Sequence, residues 1–424
     1  MEKTMVLQQC RVIDPANDRD AIGDIWVRAG KIVAAETTLP ENAEVYNLAG
    51  KWVVPGLIDI HVHLREPGQE YKESIETGTN AAAAGGFTAV ACMPNTSPVN
   101  DNATVTRYIL EKAAPCRARV YPVGAISKSS KGEGLAEFGE MKQAGIVAVT
   151  DDGMPVLDSQ LMRRAMEYAK SHKLLVMSHS EEAALSRNGC MNEGLTATRL
   201  GLRGIPAAAE SIMVFREAAL AELTGAHVHI AHVSTKESLA VISMAKSRGV
   251  KLTAETAPHY FTLTDEAVVG YDTHAKMNPP LRSEEDRQAI RAALADGTLD
   301  AIATDHAPHS VLEKNVEFNE AANGITGLET ALSLSLALVR EGVISEKRMV
   351  ELMSVAPARI LGVPGGSLAE GDVADITVID PDVEFTFTAE ESKSKGKNSP
   401  FIGWKLKGRA VMTLVSGRVQ HHIE

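Results

Sequence analysis

The run "VVPGLIDIHVHLREPG", residues 53–68, ends in two histidines separated by one valine, with an arginine two places further on. Successive side chains of a strand point to opposite faces, so His61, His63 and Arg65 emerge together. A pair of imidazoles can hold a cation, and a guanidinium beside it suits an anion. Similar groups close the later apolar runs: Asp151 and Asp152 after "IVAVT", His179 in "LLVMSHS", His232 in "AHVHIAHVS" and Asp305 in "LDAIATDHA". A single buried histidine is ordinarily a hydrogen-bonded core group. Five strand ends that bring four histidines and at least two carboxylates to one rim make a far more specific set. Imidazole and carboxylate suit a borderline cation such as zinc, with manganese or cobalt as alternatives. Six ligands exceed the needs of one open tetrahedral zinc and suit two cations bridged by a carboxylate. Two divalent ions, two carboxylates and a hydroxide leave a net charge of about +1, which favours an anionic substrate.

The elements that must position these groups read as two kinds of territory. Between about 53 and 365, eight short apolar runs alternate with helical patterns: "GLIDIHVH", "FTAVACM", "RVYPVGA", "IVAVTDD", "LLVMSHS", "AHVHIAHVS", "KLTAETAPH" and "LDAIATDHA". "DSQLMRRAMEYAKSH" and "TKESLAVISMAKSRG", among the stretches between them, carry apolar residues at helical spacing. That alternation predicts an α/β fold with a (β/α)8 TIM-type barrel, whose chemistry sits where strands enter their following loops. A doubly wound open sheet is the alternative, but no glycine-rich phosphate fingerprint follows an early strand. Residues 1–52 and 366–424 are strand-rich, with turns at Gly30 and at Ser416-Gly417. Those ends are expected to pair into one small β-sandwich domain. The stretch "ESKSKGKNSP" at 391–400 reads as an exposed loop.

Bulk properties exclude several classes. With 44% hydrophobic and 23% charged residues the chain has an ordinary globular composition. A net charge of −12 and 4% aromatics argue against a nucleic-acid surface. No apolar run approaches the ~20 residues that span a bilayer, and "MEKTMVLQQCRVIDP" has no signal-peptide pattern. Cys10, Cys92, Cys116 and Cys190 lack zinc or redox spacing, as expected of reduced thiols in a cytoplasmic protein.

Taken together, "DIHVHLREPG", "MPNT", "TDDG", "SHSE", "HIAHVST", "ETAPHY", "MNPPLR" and "ATDHAPH" resemble, in order and spacing, the amidohydrolase superfamily and within it the type I bacterial dihydroorotases. The resemblance implies reversible ring closure of N-carbamoyl-L-aspartate to L-dihydroorotate in pyrimidine synthesis. It implies two zinc ions per subunit, one held by His61, His63 and Asp305 and the other by His179 and His232. Asp152 and a hydroxide would bridge them, and Asp305 would carry the proton. Hydantoinases and allantoinases use a carboxylated lysine as the bridge, whereas this chain has no lysine between 143 and 169. For the substrate the resemblance implies Arg65, Asn95 and His309 on the carboxylate and Asn278 on the ring, with contacts from His63, Leu64, Asn323 and Gly324. Read as ordinary residues, Arg65 would form a surface ion pair, and Asn95 and Asn278 would cap turns. Relatives commonly have Pro-Phe before the glycine matching Gly324, and this chain has Ala322-Asn323. The polar stretch 309–327 is expected to act as a lid. His229 is expected to support a ligand from behind, whereas His259 and His306 adjoin strand ends without being expected ligands. A homodimer, an association with aspartate transcarbamoylase and a metal-free scaffold role are left open; such scaffolds lose ligands, and all six are present.

Overall fold

The computed structural model describes residues 4–423. Each of the eight apolar runs forms a strand: Leu57–Val62 (β1), Phe87–Cys92 (β2), Arg119–Gly124 (β3), Ala148–Val149 (β4), Leu175–Ser178 (β5), Val228–Ile230 (β6), Leu252–Thr256 (β7) and Ala301–Ile302 (β8). They lie in chain order in one parallel sheet. A parallel bridge from Val62 to His306, with His63 N–H donating to the His306 carbonyl at 2.8 Å, brings the first strand to the chain beyond the last. Helices cover the outside, among them Ile75–Ala84, Ser159–Ser171 and Lys236–Ser247. Their polar first turns are capped by Ser74, Asp158 and Thr235, whose side-chain oxygens accept otherwise unpaired backbone N–H groups. Along β1, Ile58, Ile60 and Val62 pack in apolar clusters, while Asp59, His61 and His63 take the opposite face.

The chain ends build a separate sheet. Trp52–Pro55 lies at its centre, parallel to Thr4–Asp14 and antiparallel to Ile376–Thr386. Two hairpins extend it, through Ala29-Gly30 and Ser416-Gly417. All four turn residues have positive φ, between 50° and 74°, the twist that a two-residue hairpin turn requires. One apolar cluster, including Leu7, Val12, Val53, Ile376 and Met412, joins both ends of the polypeptide.

The stretch 391–400 departs from the exposed loop expected of its composition. Ser394, Gly396, Asn398 and Ser399 are buried while Lys393 and Lys395 face solvent. The Ser394 hydroxyl and the Lys395 N–H both donate to Glu73, and the Ser392 hydroxyl and Lys393 N–H donate to Glu329. Hydrogen bonds to distant carboxylates outweigh the solvation of a lysine-rich segment.

Candidate active site

Every polar side chain on the inner face of β1 has a partner. Asp59 accepts the His61 N–H at 3.0 Å and the Thr304 N–H at 3.2 Å, which fixes β1 beside the residue preceding Asp305. Its complete burial pushes the carboxyl up to about 7. The His61 Nδ1 lies 2.8 Å from Glu255 on β7, and the other oxygen of Glu255 is 3.1 Å from the His229 Nε2. Burial acts to raise the Glu255 carboxyl, but bonds from His229 and His61 hold it down at about 2. An ionised carboxylate demands the proton on Nδ1 of His61, so that Nε2 presents its lone pair to the mouth. That buried Nε2 has no hydrogen-bond partner. In the same manner His63 Nδ1 donates to Asn95 Oδ1 at 2.8 Å and turns its Nε2 inward.

At the end of β4 two adjacent aspartates separate. Asp151 turns back and accepts the N–H groups of Ile126 and Ser127 at 2.8 and 3.0 Å, securing the loop after β3. Asp152 enters the mouth, with Oδ1 at 3.3 Å from His61 Nε2 and 3.7 Å from both His179 Nδ1 and His232 Nε2, and Oδ2 at 3.5 Å from His63 Nε2. Burial alone would raise this carboxyl, yet the ring of imidazoles around it, His61 foremost, holds it well below the ordinary range. Asp305 Oδ1 stands 3.1 Å from His63 Nε2 and 3.6 Å from His61 Nε2. Against the effect of burial, the nearby imidazoles, His63 foremost, lower its carboxyl too. His179 Nδ1 and His232 Nε2 are 2.9 Å apart. Two groups of potential ligands, His61-His63-Asp152 and Asp152-His179-His232, therefore share one carboxylate. Inward lone pairs, an orphaned buried nitrogen and a shared carboxylate fit a two-cation centre. His232 and Asp305 both take left-handed backbone, with φ of 35° and 48°. Such conformations are costly and concentrate at working sites.

Beside this nest lies a buried guanidinium. The Arg65 guanidinium is buried, and among the described residues no carboxylate comes within ion-pair distance of it. Its polar neighbours are the Pro308 carbonyl, 3.2 Å from Nε, and the His309 Nε2, 3.3 Å from Nη2. Burying an uncompensated guanidinium is costly, which marks a place for an anion. The surface ion pair expected of an ordinary arginine is absent. His309 Nε2 donates to the Asn323 carbonyl at 2.8 Å. Asn95, its oxygen taken by His63, donates one amide N–H to Asp152 Oδ2 at 3.4 Å and keeps its second amide proton. Asn278 Oδ1 is buried without a partner. A cavity of about 230 Å³ is lined by Arg65, Asn95, Asn278, His309, Asn323 and Gly324 together with His63, Asp152, His179, His232 and Asp305. His61 lies just behind its wall. The Leu64 side chain goes elsewhere, into the apolar core, where a Cβ on Gly78 would meet it at 2.4 Å. Gly324 has φ +121°, and a Cβ there would come within 2.6 Å of Ala307.

The stretch 309–327 lies folded against the mouth. Its buried Lys314 donates to the carbonyls of Lys276 and Ala322 at 3.2 and 2.7 Å, joining it to the loop that carries Asn278. Residues whose roles the sequence left unread are Glu255, Asp59 and Asn398. Glu255 stands inside "ETAPHY" and Asp59 shares the alternation of His61 and His63, so both carried a signal. His229 does act from behind, through Glu255, whereas His306 bonds Glu73 at 3.4 Å and does not reach the nest.

With this geometry in place, comparison with known proteins is informative. A family model described as dihydro-orotase-like matches residues 50–238. The dihydroorotase of Desulfotalea psychrophila is 70% identical over 413 residues, covering 97% of this chain and 98% of the relative. That of Syntrophotalea carbinolica is 58% identical over 415 residues, with 97% and 98% covered. Among solved structures, the L-hydantoinase (dihydropyrimidinase) from Arthrobacter aurescens matches with a TM-score of 0.89 at 25% identity, covering 100% of this chain and 96% of the other.

Proposed function

The chain belongs to the dihydroorotase family, and from that premise we propose that it interconverts L-dihydroorotate and N-carbamoyl-L-aspartate at a two-cation centre, the third step of pyrimidine biosynthesis. The observation that carries the reading is the buried Arg65, unpaired with any carboxylate among the described residues, on the wall of a nest of imidazoles around Asp152. Its guanidinium would take the substrate carboxylate through two parallel hydrogen bonds. The Asn95 amide donates to the same anion, and the Asn278 oxygen accepts a ring N–H. His61, His63 and Asp305 would hold one cation and His179 and His232 the other, with Asp152 shared between them. Zinc is the proposed ion, on the mixture of nitrogen and oxygen donors. When bound, the cations supply a water acidified to near neutral pH and a polarised ring carbonyl.

Asp305 accepts a proton from the attacking water as its oxygen bonds to the ring carbonyl carbon. It then delivers that proton to the amide nitrogen as the carbon–nitrogen bond breaks. Ring closure runs the same steps backwards, with water leaving. A hydantoinase or allantoinase reading is disfavoured, since Arg65 suits a carboxylate and no lysine is available near β4. The cytoplasmic location rests on the four free, scattered cysteines, and a homodimer and association with aspartate transcarbamoylase rest on the family alone; all three belong to the same proposal.

Dihydroorotate turnover measured in both directions alongside metal analysis tests the reading. Asp305→Asn is expected to lower turnover in both directions by about 10³-fold, the middle of the range that positioned proton transfer supplies, with part of the metal retained. Near-normal turnover would remove Asp305 from its role, and an inactive wild-type protein without metal would favour the scaffold alternative.

A further inference from the structure

We infer that Asn398, from the chain-end segment 391–400, positions the clamp that receives the substrate carboxylate. The Asn398 side chain is 2% exposed. Its Oδ1 accepts the His309 N–H at 2.8 Å, and its Nδ2 donates to the carbonyls of Ala307 and Gly324, each at 3.0 Å. The Asn398 carbonyl accepts the Thr326 N–H at 2.9 Å. One residue thus ties together both arms of the loop after β8, the arm bearing His309 and the arm bearing Asn323 and Gly324. The His309 ring spans the same gap to the Asn323 carbonyl, and Arg65 rests on the carbonyl of Pro308, between two of the residues that Asn398 holds.

The segment is well placed for this task. Ser394 and Lys395 fasten it to Glu73, in the loop after β1 that also carries Arg65. Gly396 allows the backbones to meet, since a Cβ there would approach Pro308 Cβ to 2.6 Å. Asn398 touches no substrate under this reading; it acts through His309, Arg65 and the 323–324 wall. Asparagine alone among similar-sized residues offers one acceptor and two donors at this point. An aspartate would keep the acceptor for His309 but set a carboxylate oxygen against two carbonyls.

The inference rests on the proposed binding of a substrate carboxylate, so its test separates the two. In the full-length, metal-loaded protein, Asn398→Ala is expected to raise KM for L-dihydroorotate by about tenfold or more, as unpaired buried backbone groups let the loop shift. The kcat should stay within about threefold and metal content should not change, because the metal ligands are untouched. Asn398→Asp, of nearly the same volume, provides a second variant and is expected to raise KM further. Ser399→Ala, in an equally buried neighbour, should leave KM and kcat at wild-type values. A KM within twofold of wild type in both Asn398 variants would overturn the inference, as would an equal rise in Ser399→Ala or loss of metal. Arg65→Lys in the same assay tests the underlying reading: if wild type turns over and this variant leaves KM unchanged, the clamp is wrong and Asn398 has nothing to position.

Discussion

The two imidazole pairs at the barrel mouth are held in different ways. His61 and His63 each spend one ring nitrogen on a fixed acceptor, Glu255 and Asn95, both at 2.8 Å. Glu255 is itself steadied by His229, and Asp59 fastens the backbone of His61. His179 and His232 instead face one another at 2.9 Å, and the carboxylate near the outer nitrogen of His179, that of Glu181, stands 3.7 Å away. One half of the nest is therefore arranged before any ion arrives, and the other half owes its arrangement to what it binds. A ligand whose ring is locked by an outer partner binds more tightly, because less motion is lost on coordination. On the proposed two-cation reading, the two sites are unequal and share a common carboxylate.

That inequality can be attacked at its joint and then on each side. Asp152→Asn removes the group common to both halves and should abolish tight binding of both ions, with turnover lower by on the order of 10³-fold or more, the several kcal/mol that metal catalysis contributes. A variant that kept one ion and much of its activity would show the halves to be independent. On the locked side, Glu255→Gln is expected to weaken metal affinity by about 10- to 100-fold in a chelator competition, whereas Glu181→Gln should change it by only about threefold. Equal effects would erase the contrast. A last effect concerns stability in acid. The folded-state carboxyl of Glu255 lies at about 2, below its ordinary 4.5, so its contribution is present above pH 4.5 and is lost as pH falls towards 2. In chelator-treated protein, Glu255→Gln should flatten that part of the stability curve, by a few kcal/mol at most. An unchanged acid limb would mean that Glu255 is not the charged anchor described above.

Much of this mouth was legible because strand periodicity is a local property. Alternation put His61 and His63 on one face, and each later ligand closes an apolar run; Arg65 lies beyond the end of β1 with φ 60°, so a backbone turn and not strand alternation brings it to the mouth. What could not be read were bonds between groups far apart in sequence. Glu255 meets His61 across 194 residues, and no spacing rule connects them. Asp151 and Asp152 are alike in sequence, and only the backbone turn decides which enters the mouth. On composition the stretch 391–400 reads as exposed, although it too alternates: Lys393 and Lys395 face outward, and Ser394, Gly396 and Asn398 inward. A period of two was visible there, but lysine content spoke louder than the small polar residues between.

The placement of Trp52–Pro55 between strands from opposite ends of the polypeptide has a consequence for its synthesis. Its partner Ile376–Thr386 leaves the ribosome on the order of tens of seconds later, at ordinary rates of elongation. Throughout that interval one flank of a β-strand with Val53 and Val54 at its centre stands unpaired, an invitation to association with other nascent chains. Chaperone demand for this protein should therefore peak while the barrel is being made and end when the closing strand docks.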